Sequence, residues 1–249
     1  MSKVRAALRS GAFVGFSAGI LAAYETKRMI TPESEREQLA SRYRSRLSNG
    51  LLRVFGVEVL VRGEHMPEAG ALIVANHQSA LDIGVMLSLF QAVLVSRHDV
   101  ADWPVLGRLA KHGETIFVDR EDRRSGAMAL REIRRRASEG RTVVAFPEGA
   151  TFPGDSVHEF HPGAFAAVRG LDIPIIPVGL AYSPAIPYVK DSFAKHLAKV
   201  AARPRTRIAV HVGAPVPSSA DARTTSEGAR DQVEALVLDA RCTLEGYHP

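Results

Sequence analysis

Between residues 57 and 212 the chain alternates short apolar runs with longer segments of helical periodicity. The runs predict strands over Val57–Arg62, Ala71–Ala75, Ala92–Ser96, Thr115–Val118, Thr142–Phe146, Ile173–Leu180 and Arg207–Val212. Helices are predicted over Leu81–Phe90, Pro104–His112, Arg124–Ser138, Gly163–Arg169 and, last, near Ser226–Leu244. This alternation predicts an α/β fold: a mixed, largely parallel sheet flanked by helices on both faces. The run Ala71-Leu72-Ile73-Val74-Ala75 has no polar position, which suits a strand buried on both sides. Residues 149–162 hold two Pro and two Gly and read as a long loop, a kind of segment that tends to carry function.

Ahead of the sheet lies a different pattern. Gly11 to Tyr24 reads GAFVGFSAGILAAY without a charge. As a helix this run spans roughly 21 Å, short of the ~30 Å hydrocarbon core of a bilayer, so an anchored or interfacial helix is expected rather than a complete crossing. A cleaved signal peptide is disfavoured because Tyr24-Glu25-Thr26-Lys27 follows without a small-x-small site. Gly11, Gly15 and Gly19 form a small-residue stripe on which a second helix is expected to pack. Thr31-Pro32-Glu33 starts that helix, with a capping residue, a proline in the first turn and acids near the positive dipole end. The chain thus divides into an N-terminal two-helix hairpin, 1–54, and a main domain, 55–249.

Charge sharpens this division. The 249-residue chain carries +5 overall, yet residues 1–54 hold ten Lys and Arg against four Glu, a local excess of six. The main domain is near neutral. A nucleic-acid partner would call for the basic excess on the main domain, so an anionic membrane surface is the expected attraction, with the chain peripheral or monotopic on the cytoplasmic face. A solvated helix covering the main domain is the plainer alternative. The lone Cys242 excludes a disulfide framework and a Cys-rich zinc module.

Chemistry gathers where strands end. Asn76-His77-Gln78-Ser79-Ala80-Leu81-Asp82 begins as the 71–75 strand stops and finishes as a helix starts, the position at which open α/β sheets place ligands. An Asp five residues beyond a His can turn back, hold one ring nitrogen and leave the other as a base. In the plainer reading Asp82 caps a helix and His77 fills a turn. A second strand ends at Asp119-Arg120, a third at Phe146-Pro147-Glu148-Gly149, and Ile175-Ile176-Pro177-Val178 lies in a fourth.

In this order, over roughly residues 57–182, the four blocks resemble the signatures of the glycerolipid acyltransferases, closest to the bacterial 1-acylglycerol-3-phosphate acyltransferases. Trp103-Pro104-Val105-Leu106-Gly107 is similar to the family as well. The resemblance implies that His77 is the general base and Asp82 its orienting partner. It also implies that Arg120 binds the acceptor's phosphate, that Glu148 and Gly149 help shape the acceptor site, and that Asn76, Phe146 and Pro147 belong to the same site. The implied donor is an acyl thioester, acyl-CoA or acyl-carrier protein, and the implied acceptor a lysophospholipid, first of all 1-acylglycerol-3-phosphate, which would give phosphatidic acid. An activated donor needs neither metal nor cofactor. A guanidinium suits a phosphate because it engages two oxygens at once; otherwise Arg120 pairs on the surface with Asp119 or Glu121.

Two departures bear on the acceptor. The third block continues Ala150-Thr151-Phe152-Pro153-Gly154 instead of with Thr and then a cation or Ser, and Glu114 stands where a small residue is common. A lysolipid without a terminal phosphate, such as a lyso-ornithine lipid, therefore stays open. Other signals are weak. Gly15-Phe16-Ser17-Ala18-Gly19 matches the G-x-S-x-G elbow of serine esterases but lacks the strand that the elbow needs. His158 and His161 have metal-like spacing and no third partner. The cluster Arg131, Arg134, Arg135 and Arg136 reads as a solvated helix face, and Arg203, Arg205 and Arg207 as plain surface. Outside the enzyme class, the rival is a non-catalytic membrane-binding protein.

Overall fold

The computed structural model describes residues 2–63, 67, 70–98, 107, 110–111, 115–119, 121–186, 188, 192–217 and 219–246. Seven strands form one sheet: β1 (Val57–Arg62), β2 (Leu72–Ala75), β3 (Ala92–Arg97), β4 (Ile116–Val118), β5 (Thr142–Ala145), β6 (Ile175–Ser183) and β7 (Thr206–Val212). Their order across the sheet is β1-β7-β6-β2-β5-β3-β4. All neighbours are parallel except β6 and β7, so the sheet is mixed and largely parallel, as the pattern predicts.

Side chains of β2 alternate between two cores. Leu72 and Val74 face α4 (Arg123–Ser138), α5 (Gly163–Val168) and α7 (Ala222–Glu245), joining a cluster with Ile133, Phe165 and Val233. Ile73 and Ala75 face the opposite way, into a cluster with Val85 of α3 (Leu81–Leu89), Val200 of α6 (Phe193–Ala202) and Leu51 of α2 (Glu33–Val54). A strand sandwiched this way has no polar side to spare, which accounts for its uninterrupted apolar sequence.

The hairpin differs from expectation in four ways. Pro32 and not Thr31 is the N-cap of α2, the Thr31 hydroxyl donating instead to the Lys27 carbonyl (2.7 Å). The first helix, α1, runs from Ser2 to Met29, twice the length of the uncharged run. Twenty-eight residues span about 42 Å, so the length argument against a crossing does not hold: α1 is long and apolar enough to cross a membrane by length and composition. The glycine stripe is also not the contact face. Gly11, Gly15 and Gly19 face open space. The close approach is reversed, with Gly50 of α2 receiving the Phe16 ring, whose edge occupies the space a Cβ at that position would need. Finally, part of the basic excess is structural. Arg9 donates to the carbonyls of Phe55 (2.9 Å), Arg203 (2.6 Å) and Pro204 (3.1 Å), and Arg5 to that of Ala202 (3.0 Å). Arg44 is buried.

The helix α6 has no counterpart in the predicted elements. It is short and largely apolar, its run is broken by Lys195, His196 and Lys199, and its buried face takes in His196 beside Leu197, Val200 and Ala201. The C-terminal helix begins four residues earlier than predicted because Asp221 caps it, accepting from the amides of Arg223 and Thr224. Most of the predicted Pro104–His112 helix lies outside the described residues.

Candidate active site

Because β2, β3, β4 and β5 are parallel, their carboxyl ends open on the same edge of the sheet. β6 runs the same way but continues to Ser183, well past Val178, the partner of the last residue of β2. The turn after β2 therefore meets a wall of β6 backbone. Asn76 fastens it there, its side-chain amide donating to the Leu180 carbonyl (3.0 Å) and its oxygen accepting from the Leu180 amide (2.8 Å).

The next residues wrap around a single carboxylate. Asp82 is completely buried in the first turn of α3. Its Oδ2 accepts from His77 Nδ1 (2.8 Å) and from the backbone amides of Gln78 (2.8 Å) and Ser79 (2.9 Å). Its Oδ1 accepts from the Tyr182 hydroxyl. With Gln78, Ser79 and Tyr182 already donating to it, the carboxylate acts as an acceptor toward the ring as well, which puts the proton of the His77–Asp82 hydrogen bond on Nδ1 and the basic lone pair on Nε2. Asp82 is thus more than a helix cap. It fixes the tautomer of a ring whose side chain is 15% exposed at the cleft.

Phe146 and Glu148 secure the ring from the end of β5. The Phe146 ring stacks on that of His77 at 4.2 Å and 16°. Glu148 is buried, and its oxygens accept from the backbone amides of His77 (2.6 Å) and His158 (2.9 Å). Burial pushes its carboxyl up to about 6, although both amide bonds pull the other way. Gly149 takes φ +76°, a left-handed conformation that glycine adopts without strain, and closes the turn through its amide to the Phe146 carbonyl (3.1 Å).

These residues line one cleft of about 800 Å³. His77, Phe146, Pro147, Glu148 and Gly149 form one wall, and Asp119, Asp122 and Arg123 stand on another. The carboxylate of Asp122 is occupied in capping α4. Arg123 makes no ion pair among the described residues. The cleft thus offers an oriented base beside a space of mixed charge, which can deprotonate a hydroxyl held there.

A family model described as Acyltransferase matches residues 58–181, the span that carries β1, the dyad, the Phe-Pro-Glu-Gly turn and most of β6. The lyso-ornithine lipid O-acyltransferase of Pseudomonas aeruginosa is 30% identical over 251 residues, covering 96% of this chain and 94% of that protein. This chain belongs to the acyltransferase family. The lyso-ornithine lipid O-acyltransferase of Rhizobium meliloti is 35% identical over 129 residues, 52% of this chain, and the match spans only 44% of that protein's length. In fold, this acyltransferase matches the crystal structure of the 1-acyl-sn-glycerophosphate acyltransferase PlsC from Thermotoga maritima, with a TM-score of 0.74 at 20% identity and full coverage of both chains.

Of the residues singled out from sequence, His77, Asp82, Asn76, Phe146, Pro147, Glu148 and Gly149 meet at the turn after β2. Within this group Asn76 and Glu148 act on backbone groups. Arg120, Glu114 and, of the Trp103–Gly107 stretch, all but Gly107 lie outside the described residues. Ser17 sits in the middle of α1 with no strand before it, so it is no nucleophile elbow. His158 stacks on Phe152 (3.8 Å) while His161 lines the cleft; among the described residues no three His, Cys, Asp or Glu gather to hold a metal ion. Five polar residues of this site escaped the sequence reading: Tyr182, Asp155 and Arg241 around the dyad, and Asp122 and Arg123 on the cleft wall. The available signal was a tyrosine closing the apolar run of β6, since a buried phenol needs a partner.

Proposed function

We propose that this acyltransferase moves a fatty acyl group from a thioester, acyl-CoA or acyl-carrier protein, to the free hydroxyl of a lysolipid, and that the lysolipid is a lyso-ornithine lipid. The observation that carries the reaction is the His77–Asp82 pair: Nδ1 is held and the ring lies at the cleft wall, leaving Nε2 to act. His77 takes the acceptor's hydroxyl proton as the oxygen attacks the thioester carbonyl. The tetrahedral intermediate collapses with loss of the thiolate, and the imidazolium returns the proton to sulfur. One ester forms and one thioester breaks, with no change of oxidation state.

The acceptor is argued from the cleft's charges and from the end-to-end similarity to the Pseudomonas protein. A lyso-ornithine head group carries an ammonium and a carboxylate. Asp119, 39% exposed in its side chain, suits the first, and Arg123 the second. A lysophosphatidate presents only negative charge, which Asp119 disfavours. The sequence resemblance and Arg120 favour lysophosphatidate, and it is the second reading. Thiol release from acyl-CoA, measured with each lysolipid at equal concentration, separates them. The proposal expects clear preference for lyso-ornithine lipid, reduced by Asp119→Asn and Arg123→Ala through KM. Preference for lysophosphatidate overturns the acceptor assignment.

We further propose that α1 lies against the membrane surface. Val4, Leu8, Val14, Met29 and Ile30 are each more than 60% exposed. Arg5 and Arg9 tie one end of the helix to the main domain, while at the other Tyr24 packs edge-on against Tyr43 of α2 (5.5 Å). With both ends held to the same body, the apolar face meets lipid side-on.

A further inference from the structure

Asp82 has a partner that the dyad alone does not require. Tyr182 projects from the part of β6 that outruns β2, is fully buried, and donates its hydroxyl to Asp82 Oδ1, the oxygen His77 does not use. It also touches the Ser79 hydroxyl, which in turn meets His196 Nε2 of α6 at 2.8 Å.

The backbone of Tyr182 is held from outside. Arg241 of α7 donates Nη1 to the Tyr182 carbonyl (2.8 Å) and grips Asp155 with Nε and Nη2, both at 2.7 Å. Asp155 lies in the loop 149–162 and accepts from Gln78 Nε2 (3.4 Å). The Gln78 amide then returns to Asp82. A closed ring of contacts thus runs from Asp82 through Tyr182, Arg241, Asp155 and Gln78 back to Asp82. It ties the dyad to a helix more than 150 residues away in sequence.

We infer that Tyr182, braced by Arg241, is a positioning residue of the transfer reaction: its hydroxyl completes the acceptor shell of Asp82 and thereby sets the orientation and basicity of His77. The inference rests on acyl transfer through His77. Burial and the neighbouring Asp82 push the phenol far above its usual range, so Tyr182 stays a donor at every working pH. A donor on Oδ1 draws negative charge away from the oxygen facing His77. Without it the Asp82 carboxylate stabilises the imidazolium form of His77 more strongly.

Tyr182→Phe removes one oxygen and keeps the ring that fills the core. The expected result is a fall in kcat on the order of tenfold with both KM values within about twofold of wild type. The acid limb of the pH–rate profile should also move upward by roughly half a unit or more. Glu148, His196, Asp155 and Arg241 face this region in both proteins, so the difference between their profiles belongs to Tyr182. Arg241→Met keeps the phenol but frees its backbone, and should move the same two quantities in the same direction by less. Lysine at 241 should restore little, since one ammonium cannot hold both Asp155 oxygens and a carbonyl.

A purely structural Tyr182 would lower the melting temperature and leave the acid limb in place, and that result overturns the inference. If Tyr182→Phe does not fold, Arg241→Met alone decides, and a wild-type acid limb in that variant overturns it. A wild-type enzyme without thiol release, or an active His77→Ala, refutes the underlying reaction instead.

Discussion

Replacing Asp82 with asparagine removes a charge while keeping a side chain of the same shape. The outcome depends on which way the amide turns, and the surrounding groups decide that. Three donors converge on Oδ2, from His77, Gln78 and Ser79, and one on Oδ1, from Tyr182. Asparagine satisfies all three only with its oxygen in the Oδ2 position; its NH2 then meets a hydroxyl that can rotate to accept. His77 therefore keeps its proton on Nδ1 and its base on Nε2. What is lost is the charge that stabilises the imidazolium. A hydrogen bond to a charged group is worth ~1.5–3 kcal/mol against ~0.5–1.5 for a neutral one, a loss of about 1–2 kcal/mol. At a factor of ten per 1.36 kcal/mol, kcat should fall about 5- to 30-fold, and the acid limb of the profile should move down by about one unit. The assay is thiol release from acyl-CoA with saturating acceptor, from about pH 5 to 9. An asparagine that presented its nitrogen to the ring would impose the wrong tautomer and cost ~10⁴-fold. A loss of that size in folded protein, or an acid limb that moves up, refutes the reasoning.

Glu148 should leave a mark on stability. Its carboxyl titrates at about 6 instead of 4.5, so the unfolded chain gives up this proton first and the folded state binds more protons between those values. Stability then falls as pH rises through this window, by about 2 kcal/mol for a shift of this size. Denaturant titrations should show Glu148→Gln with a flatter profile there; an unchanged slope contradicts the assignment. Arg9→Ala removes contacts to four carbonyls and should free the start of α1 to proteolysis at a docking cost of about 2 kcal/mol, with cleavage at the wild-type rate arguing against it. Substituting Val4, Leu8 and Val14 by serine should abolish the salt-resistant part of vesicle co-sedimentation, since each buried side chain of this size contributes ~1.5–3 kcal/mol. Retained binding would place the lipid contact elsewhere.

The sheet was legible because burial leaves a plain record. β2 and β5 are buried on both faces, and their sequences are apolar but for Thr142 at the start of β5. The dyad was legible because a local turn brings His77 and Asp82 together within six residues. What escaped is what arises between distant segments. Tyr182 reaches Asp82 only because β6 outruns β2, a matter of register that no local pattern encodes. Arg241 looks like one more surface cation on an amphipathic helix until α7 is laid against β6. The charged first turns of α1 escaped for a related reason: such turns continue a helix when their cations find carbonyls, and those carbonyls belong to residues 55 and 201–204.

The central claim is that His77 is the base of an acyl transfer. Its most direct test is His77→Ala, with folding checked by melting temperature. The assay follows thiol release from acyl-CoA and the acylated lipid by mass spectrometry, with acceptor-free controls. The account predicts that both signals fall together by ~10²–10⁴-fold while the fold persists. A folded His77→Ala protein that still acylates the lysolipid at close to the wild-type rate would contradict it.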